Sequence, residues 1–157
     1  MELTPLAPRA RWLFHLQALM RSLIIGPPLL IGIGFGVAYV SSPWIGAGVA
    51  SCAALILAVW TIWWPTLAFD RWGYALNETE LLIQSGVLIR RINAIPSGRI
   101  QHVDTHQGPL DQLMELATVS VYTASGSGSD GVIPGLDKAE AARLRDTLIR
   151  RGGDDGV

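Results

Sequence analysis

From Ser22 to Phe69 the chain carries no Asp, Glu, Lys or Arg. No soluble core in a chain of 157 residues needs such a run, whereas a pair of membrane spans does. Ser22–Val40 supplies 19 uncharged residues and Trp44–Trp64 supplies 21. As helices rising about 1.5 Å per residue, each reaches about 30 Å, the thickness of the hydrocarbon layer. Ser41, Ser42 and Pro43 form the turn between them. The predicted organisation is a cytoplasmic or interfacial segment at 1–21, a transmembrane helical hairpin at 22–69, a cytoplasmic domain at 70–151 and a disordered tail at 152–157.

Basic residues orient the hairpin. Arg9, Arg11 and Arg21 precede the first span, Arg71, Arg90 and Arg91 follow the second, and the turn has none, which puts both termini in the cytoplasm. Tyr39 and Trp44 at the outer interface, with Trp60, Trp63, Trp64 and Trp72 around the inner one, suit the preference of amphipathic rings for headgroups. "VASC" at 49–52 imitates a lipoprotein cleavage box but sits mid-span with apolar sequence following, so no cleavage is expected. Cys52 is the only cysteine, which excludes an internal disulfide and a cysteine-based zinc site.

Within the spans, Gly46, Ala50, Ala54 and Ala58 recur every four residues, and Gly32 and Gly36 share that spacing. Small residues so placed let two backbones approach closely, either the two spans of this hairpin or, by self-association or with a partner, spans of two chains. Before them, Trp12, Leu16, Leu19 and Leu23 share one face of an interfacial helix, or of an early start to the first span, and His15 falls among the headgroups. Pro27 and Pro28 are placed to kink or delay the first span near its inner end.

Beyond Asp70 the pattern changes to short alternating segments broken by turn residues, which predicts antiparallel strands at 72–76, 80–85, 87–95, 99–107, 117–123 and 131–134. "NET" at 77–79, Gly86 and "IPSG" at 95–98 supply turns, and 109–115 reads as a helical turn or two. A closing helix follows, with Asp137 as N-cap, Glu140 three residues on, and Ala141, Leu144 and Leu148 on its buried face. Residues 70–157 hold nine basic and twelve acidic side chains, a net charge of −3, which argues against nucleic acid as a partner.

Three stretches invite a chemical reading. "GSGSDG" at 126–131 satisfies G-x-G-x-x-G, but "VIPG" follows it where a dinucleotide site needs a helix, so it reads as a hairpin connection. His102, Asp104 and His106 alternate along a strand; at about 6.6 Å per pair of residues the two histidines stand about 13 Å apart, too far for one metal. His102 with Asp104 could still chelate, and His106 would join only at a bulge. Arg90, Arg91 and Arg99 form the domain's basic cluster, placed either for anionic headgroups or as solvated charges that discourage edge aggregation.

The run 85–126 resembles the bacterial pleckstrin-homology-like domain of the membrane-flanked type. The matching residues are Gly86 before "VLIRR", Ile95-Pro96, Arg99-Ile100-Gln101, Val103-Asp104, Gln107-Gly108-Pro109-Leu110, Leu116-Ala117-Thr118 and "IPGL" at 133–136, with "PRARW" at 8–12 and the two spans. The resemblance implies an α+β domain of two nearly orthogonal antiparallel sheets capped by a C-terminal helix, at the inner face of a bacterial membrane. It also implies a paralogous partner, a larger membrane protein with several copies of the domain, and it brings no catalytic residue and no cofactor. The lysine-rich first hairpin of phosphoinositide-binding relatives is missing, Lys138 being the only lysine. The expectation is therefore a non-enzymatic inner-membrane protein that binds another protein and helps maintain the envelope, with a sensor of anionic lipid headgroups or peptides as the alternative.

Overall fold

The computed structural model describes residues 3–124 and 128–154. Two compact units emerge, Phe14–Leu67 and, together, Met1–Leu13 with Ala68–Val157.

The first unit holds most of α1 (Ala10–Val40) and α2 (Pro43–Asp70). Both helices outrun the expected spans: Pro27 and Pro28 lie inside α1, which continues to Val40, and Pro65 lies inside α2, which continues to Asp70. The break falls at Ser41-Ser42, where Pro43 fits the first helical position of α2 and the Ser42 hydroxyl accepts from the Ile45 amide at 3.5 Å. The helices meet where small residues allow it. A Cβ on Gly46 would stand 2.5 Å from the Gly34 carbonyl oxygen and 2.7 Å from Ala38 Cβ, and one on Gly34 would stand 3.1 Å from Ala50 Cβ. Farther along, the Ser22 and Thr61 hydroxyls pair at 2.6 Å and Thr66 Oγ1 meets His15 Nε2 at 3.2 Å, so the polar atoms of this apolar pair find partners.

The second unit contains two antiparallel three-stranded sheets. Sheet A orders β1 (Gly73–Leu76), β2 (Glu80–Ser85) and β3 (Arg91–Pro96). After a 3-10 turn at Ser97–Arg99, sheet B orders β4 (Ile100–His106), β5 (Leu116–Thr123) and β6 (Gly131–Asp137). Between β4 and β5 runs the short α3 (Pro109–Leu113), started by Pro109 and by the Asp111 carboxylate, which accepts from the Gly108 amide at 2.8 Å. The chain then ends in α4 (Lys138–Asp154), which buries Ala141, Leu144 and Leu148. Asp137 closes β6 immediately before α4, while Glu140 accepts a 2.6 Å hydrogen bond from the Tyr74 hydroxyl. The core comes from both sheets and α4: Leu81 and Ile83 of β2, Ile95 of β3, Val103 of β4, Val119 and Val121 of β5, and Ile133 and Leu136 of β6 are all buried. Gly131 lets the sheets close on each other, since a Cβ there would lie 2.5 Å from Ile83 Cδ1 and 2.7 Å from Ile95 Cδ1.

Three differences from the expected layout have physical causes. Residues read as an interfacial segment are built into the strand unit: Leu6, Ala7, Ala10 and Leu13 are buried, Thr4 exchanges backbone hydrogen bonds with Tyr74 of β1, and the Ala7 amide donates to Gly135 of β6. One N-terminal stretch thus meets an edge of each sheet, at Tyr74 of β1 and at Gly135 of β6. The third strand starts at Arg91 rather than at 87, because Gly86 adopts φ 103° and turns the chain so tightly that a Cβ there would lie 2.0 Å from the Ile89 carbonyl oxygen. Finally, α4 continues through 152–154, a stretch read as disordered; positions 155–157 lie outside the described residues.

Candidate functional site

With the free edge of β1 and that of β6 met by the N-terminal stretch, β3 is left as the open edge of sheet A. Its hydrogen-bonding alternation follows from two neighbours. The Ser97 amide donates to Thr79 and the Asn77 amide donates to Glu80, so odd-numbered residues of β2 face β3 and even-numbered ones face β1. On β3, then, Arg91, Asn93 and Ile95 turn their amides to β2, while Ile92 and Ala94 turn theirs outward. Pro96 occupies the next outward position and has no amide to offer, which bounds the open stretch to two residues.

Beside this edge lies a groove of about 430 Å³ lined by Ile92–Pro96, Arg99, Thr123 and Asp130. The Asp130 carboxylate is held by the Thr123 amide at 2.9 Å and the Thr123 hydroxyl at 2.6 Å, and the Asp130 amide donates to Val121. Asn93 reaches the Asp130 carbonyl at 3.4 Å from the other side. The groove is therefore a polar trough with a fixed wall, one guanidinium at Arg99, and an unpaired strand edge. Asn93, Thr123 and Asp130 were not legible as site residues: they become neighbours only when sheets A and B fold over each other, and a separation of seven residues across a hairpin resembles any turn.

The basic cluster divides. Arg90 and Arg91 stand at the start of β3 and Arg99 beyond its end, so the five steps of a six-residue strand, about 17 Å at about 3.3 Å per step, separate them. All three are exposed. Arg99 joins the groove, whereas Arg90 follows Leu88 and Ile89 in the loop between β2 and β3 and Arg91 opens β3. Of the helix-packing positions, Gly46 and Ala50 meet α1 through Gly34 and Ala38, not through Gly32 and Gly36, which have nothing within 4 Å of a built Cβ. Ala54 is half-buried and Ala58 exposed, the contact line passing to Leu57, which lies 2.8 Å from a Cβ on Gly26. Between the helices a cleft of about 260 Å³ is bordered by Arg21, Ser22, Thr61 and the stacked rings of Trp60 and Trp64, 4.4 Å apart.

His102 and Asp104 do meet, at 2.7 Å and exposed, with the His102 ring tilted 6.0 Å from that of Tyr122. The bulge that could have drawn in His106 lies between Ile100 and His102, before the pair, and His106 remains exposed opposite Thr118. Among the described residues no three His, Cys, Asp or Glu side chains converge as a metal shell would require. The glycine-rich stretch joins β5 to β6, an antiparallel pair, with Ser125, Gly126 and Ser127 outside the described residues. At Tyr74, burial first, then the hydrogen bond and proximity to Glu140, push the hydroxyl well above the usual tyrosine range.

Comparison with known proteins places this architecture. The model of the family described as "Bacterial PH domain" matches residues 28–152. The UPF0699 transmembrane protein YdbS of Bacillus subtilis (strain 168) is 36% identical over 157 residues, covering 97% of this chain and 95% of that protein. A second protein of that organism, the UPF0699 transmembrane protein YdbT, is 23% identical over 97 residues, which is 61% of this chain but only 20% of the relative. A solved structure, a DUF1696 family protein with a pleckstrin-homology domain from Shewanella loihica PV-4, is similar over 54% of this chain and 73% of its own, at TM-score 0.42 and 10% identity. Two long apolar helices followed by two three-stranded antiparallel sheets and a closing helix, matched by the family model over most of its length, make this chain a membrane member of the bacterial PH domain family.

Proposed function

We propose that this chain is a non-enzymatic inner-membrane protein, both termini cytoplasmic, whose PH-like domain is a protein-interaction module. Its partner in this reading is a larger, multi-copy relative of the same family, and the pair serves envelope maintenance. The observation that carries the reading is the open β3 edge with its adjoining groove. Two outward backbone positions, Ile92 and Ala94, next to a polar trough containing Arg99, suit an extended segment that adds a strand and sets a carboxylate or carbonyl against the guanidinium. Support for the partner's nature comes from a relative about five times longer than the segment it shares with this chain. In the bilayer, Gly32, Gly36 and Gly48 are free of contact with the other helix and leave a smooth surface for a partner span.

The test is capture of the tagged full-length chain from native membranes in mild detergent without crosslinking. A stoichiometric integral-membrane partner bearing several PH-like copies is expected. Ala94→Pro removes an outward amide while sparing the β2–β3 ladder, and recovery of the partner should fall at least tenfold. Recovery of this chain alone, or equal recovery with Ala94→Pro, contradicts the edge-pairing reading.

A further inference from the structure

The loop between β2 and β3 has a composition that water does not favour. Among the described residues beyond Leu67, the exposed large apolar ones are Leu88, Ile89, Ile92, Leu113 and Ile149, and three of these five fall within one five-residue stretch that also contains Arg90 and Arg91. Leu88 is 83% exposed and Ile89 70%. They are not accidental bulges from a strand, because the φ of 103° at Gly86 and the Ile89 carbonyl packed over it fold the loop so that the apolar pair forms its tip. Neither Arg90 nor Arg91 forms an ion pair among the described residues.

Register places this tip at a particular end of sheet A. Gly73 pairs with Gln84, so the residues that enter β1 from the end of α2 arrive at the end of the sheet where β2 leaves for the loop. Arg71, the first residue after α2, donates to the Val87 carbonyl at 3.2 Å, which ties the base of the loop to the point where the chain leaves its apolar helix. The turn at 77–79 between β1 and β2 lies at the opposite end.

We infer that the 86–90 loop, with Arg91 at the start of β3, is a membrane-insertion element: Leu88 and Ile89 enter the boundary between headgroups and acyl chains, and Arg90 and Arg91 bind the phosphates of anionic lipids beside them. Apolar tips flanked by cations gain both from leaving water and from the negative potential of the cytoplasmic leaflet. Arg99, at the far end of β3, takes no part. The inference concerns a surface other than the β3 edge and stands or falls separately from the strand-addition reading.

Nitroxide labels on the full-length chain in lipid nanodiscs test it, with Cys52→Ser as background and one chain per disc. Labels at Ile89→Cys and, as control, Glu78→Cys in the opposite turn are read by accessibility to oxygen and to a water-soluble nickel chelate. In discs of phosphatidylcholine with one third phosphatidylglycerol, the label at 89 should be at least fivefold less accessible to nickel than the label at 78, and more accessible to oxygen. Arg90→Gln with Arg91→Gln, or 0.5 M salt, should reduce that protection. Equal nickel accessibility at 89 and 78 would overturn the inference. So would protection at 89 that appears only when two chains share a disc, which would assign the tip to a second copy, or protection that both arginine substitutions and salt leave unchanged.

Discussion

In the helical unit Leu23, Ile24, Ile31 and Phe35 are 64–73% exposed, whereas in the strand unit Leu81, Leu116, Val119 and Ile133 are wholly buried. The same residue types serve two solvents. The helices leave their apolar surface outward and place small residues where they touch each other, as a pair of spans surrounded by lipid must, because lipid gives aliphatic side chains no reason to seek one another. The strand domain encloses its apolar residues between two sheets and a helix and depends on their burial for its stability. Within the strand unit a few large apolar residues stay exposed, and the Leu88-Ile89 pair among them lies near the point where the chain leaves α2.

Several substitutions can break this contrast. The largest effect is expected from Leu116→Ala, which empties a fully buried site in β5 and should cost about 2–5 kcal/mol. Hydrogen exchange at β5 amides in nanodiscs reads it, and Leu23→Ala, in the helical unit, should leave those amides within about 0.5 kcal/mol of the parent. Next comes Gly46→Val. Its side chain would meet the Gly34 carbonyl and the Ala38 backbone, so the detergent-solubilised protein should lose about 1–3 kcal/mol of thermal resistance, while Gly32→Val meets nothing and should lose none.

Tyr74→Phe removes the 2.6 Å hydrogen bond to Glu140 that ties β1 to α4 and should cost about 1.5–3 kcal/mol. The same contact predicts a pH dependence. Because the folded-state pKa of Tyr74 is raised, its contribution is complete below the ordinary tyrosine value of about 10 and is lost as pH rises from there towards the folded value. Alkaline unfolding of the parent should therefore be steeper above about pH 10 than that of Tyr74→Phe. The smallest effect belongs to Glu115→Gln: its ion pair with Arg9, at 3.5 Å between side chains 65% and 79% exposed, is screened by water and should change stability by less than about 1 kcal/mol.

Much of this layout was legible in the chain. Absence of charge marks the helices, alternation marks β2, β5 and the others, and Pro109 and Asp111 announce α3. What escaped depends on distance in space. Thr4 and Ala7 lie in a stretch too short for any periodicity, yet they meet strands some seventy and more than a hundred residues away. "VLIRRI" has strand composition, and only the φ of Gly86 turns its first half into a loop. Gly32 and Gly36 share their spacing of four with Gly34 and Ala38, so spacing alone could not choose which pair faces α2. Arg99 looked like a neighbour of Arg90 and Arg91 because eight residues are few in sequence, but an extended strand makes them a long step in space.

Native mass spectrometry of the full-length chain, released from its own membranes in lipid nanodiscs without crosslinking, tests the central claim most directly. The predicted result is one dominant assembly holding this chain and a larger PH-like membrane protein in fixed ratio. Masses of this chain alone, or of homo-oligomers only, would contradict it.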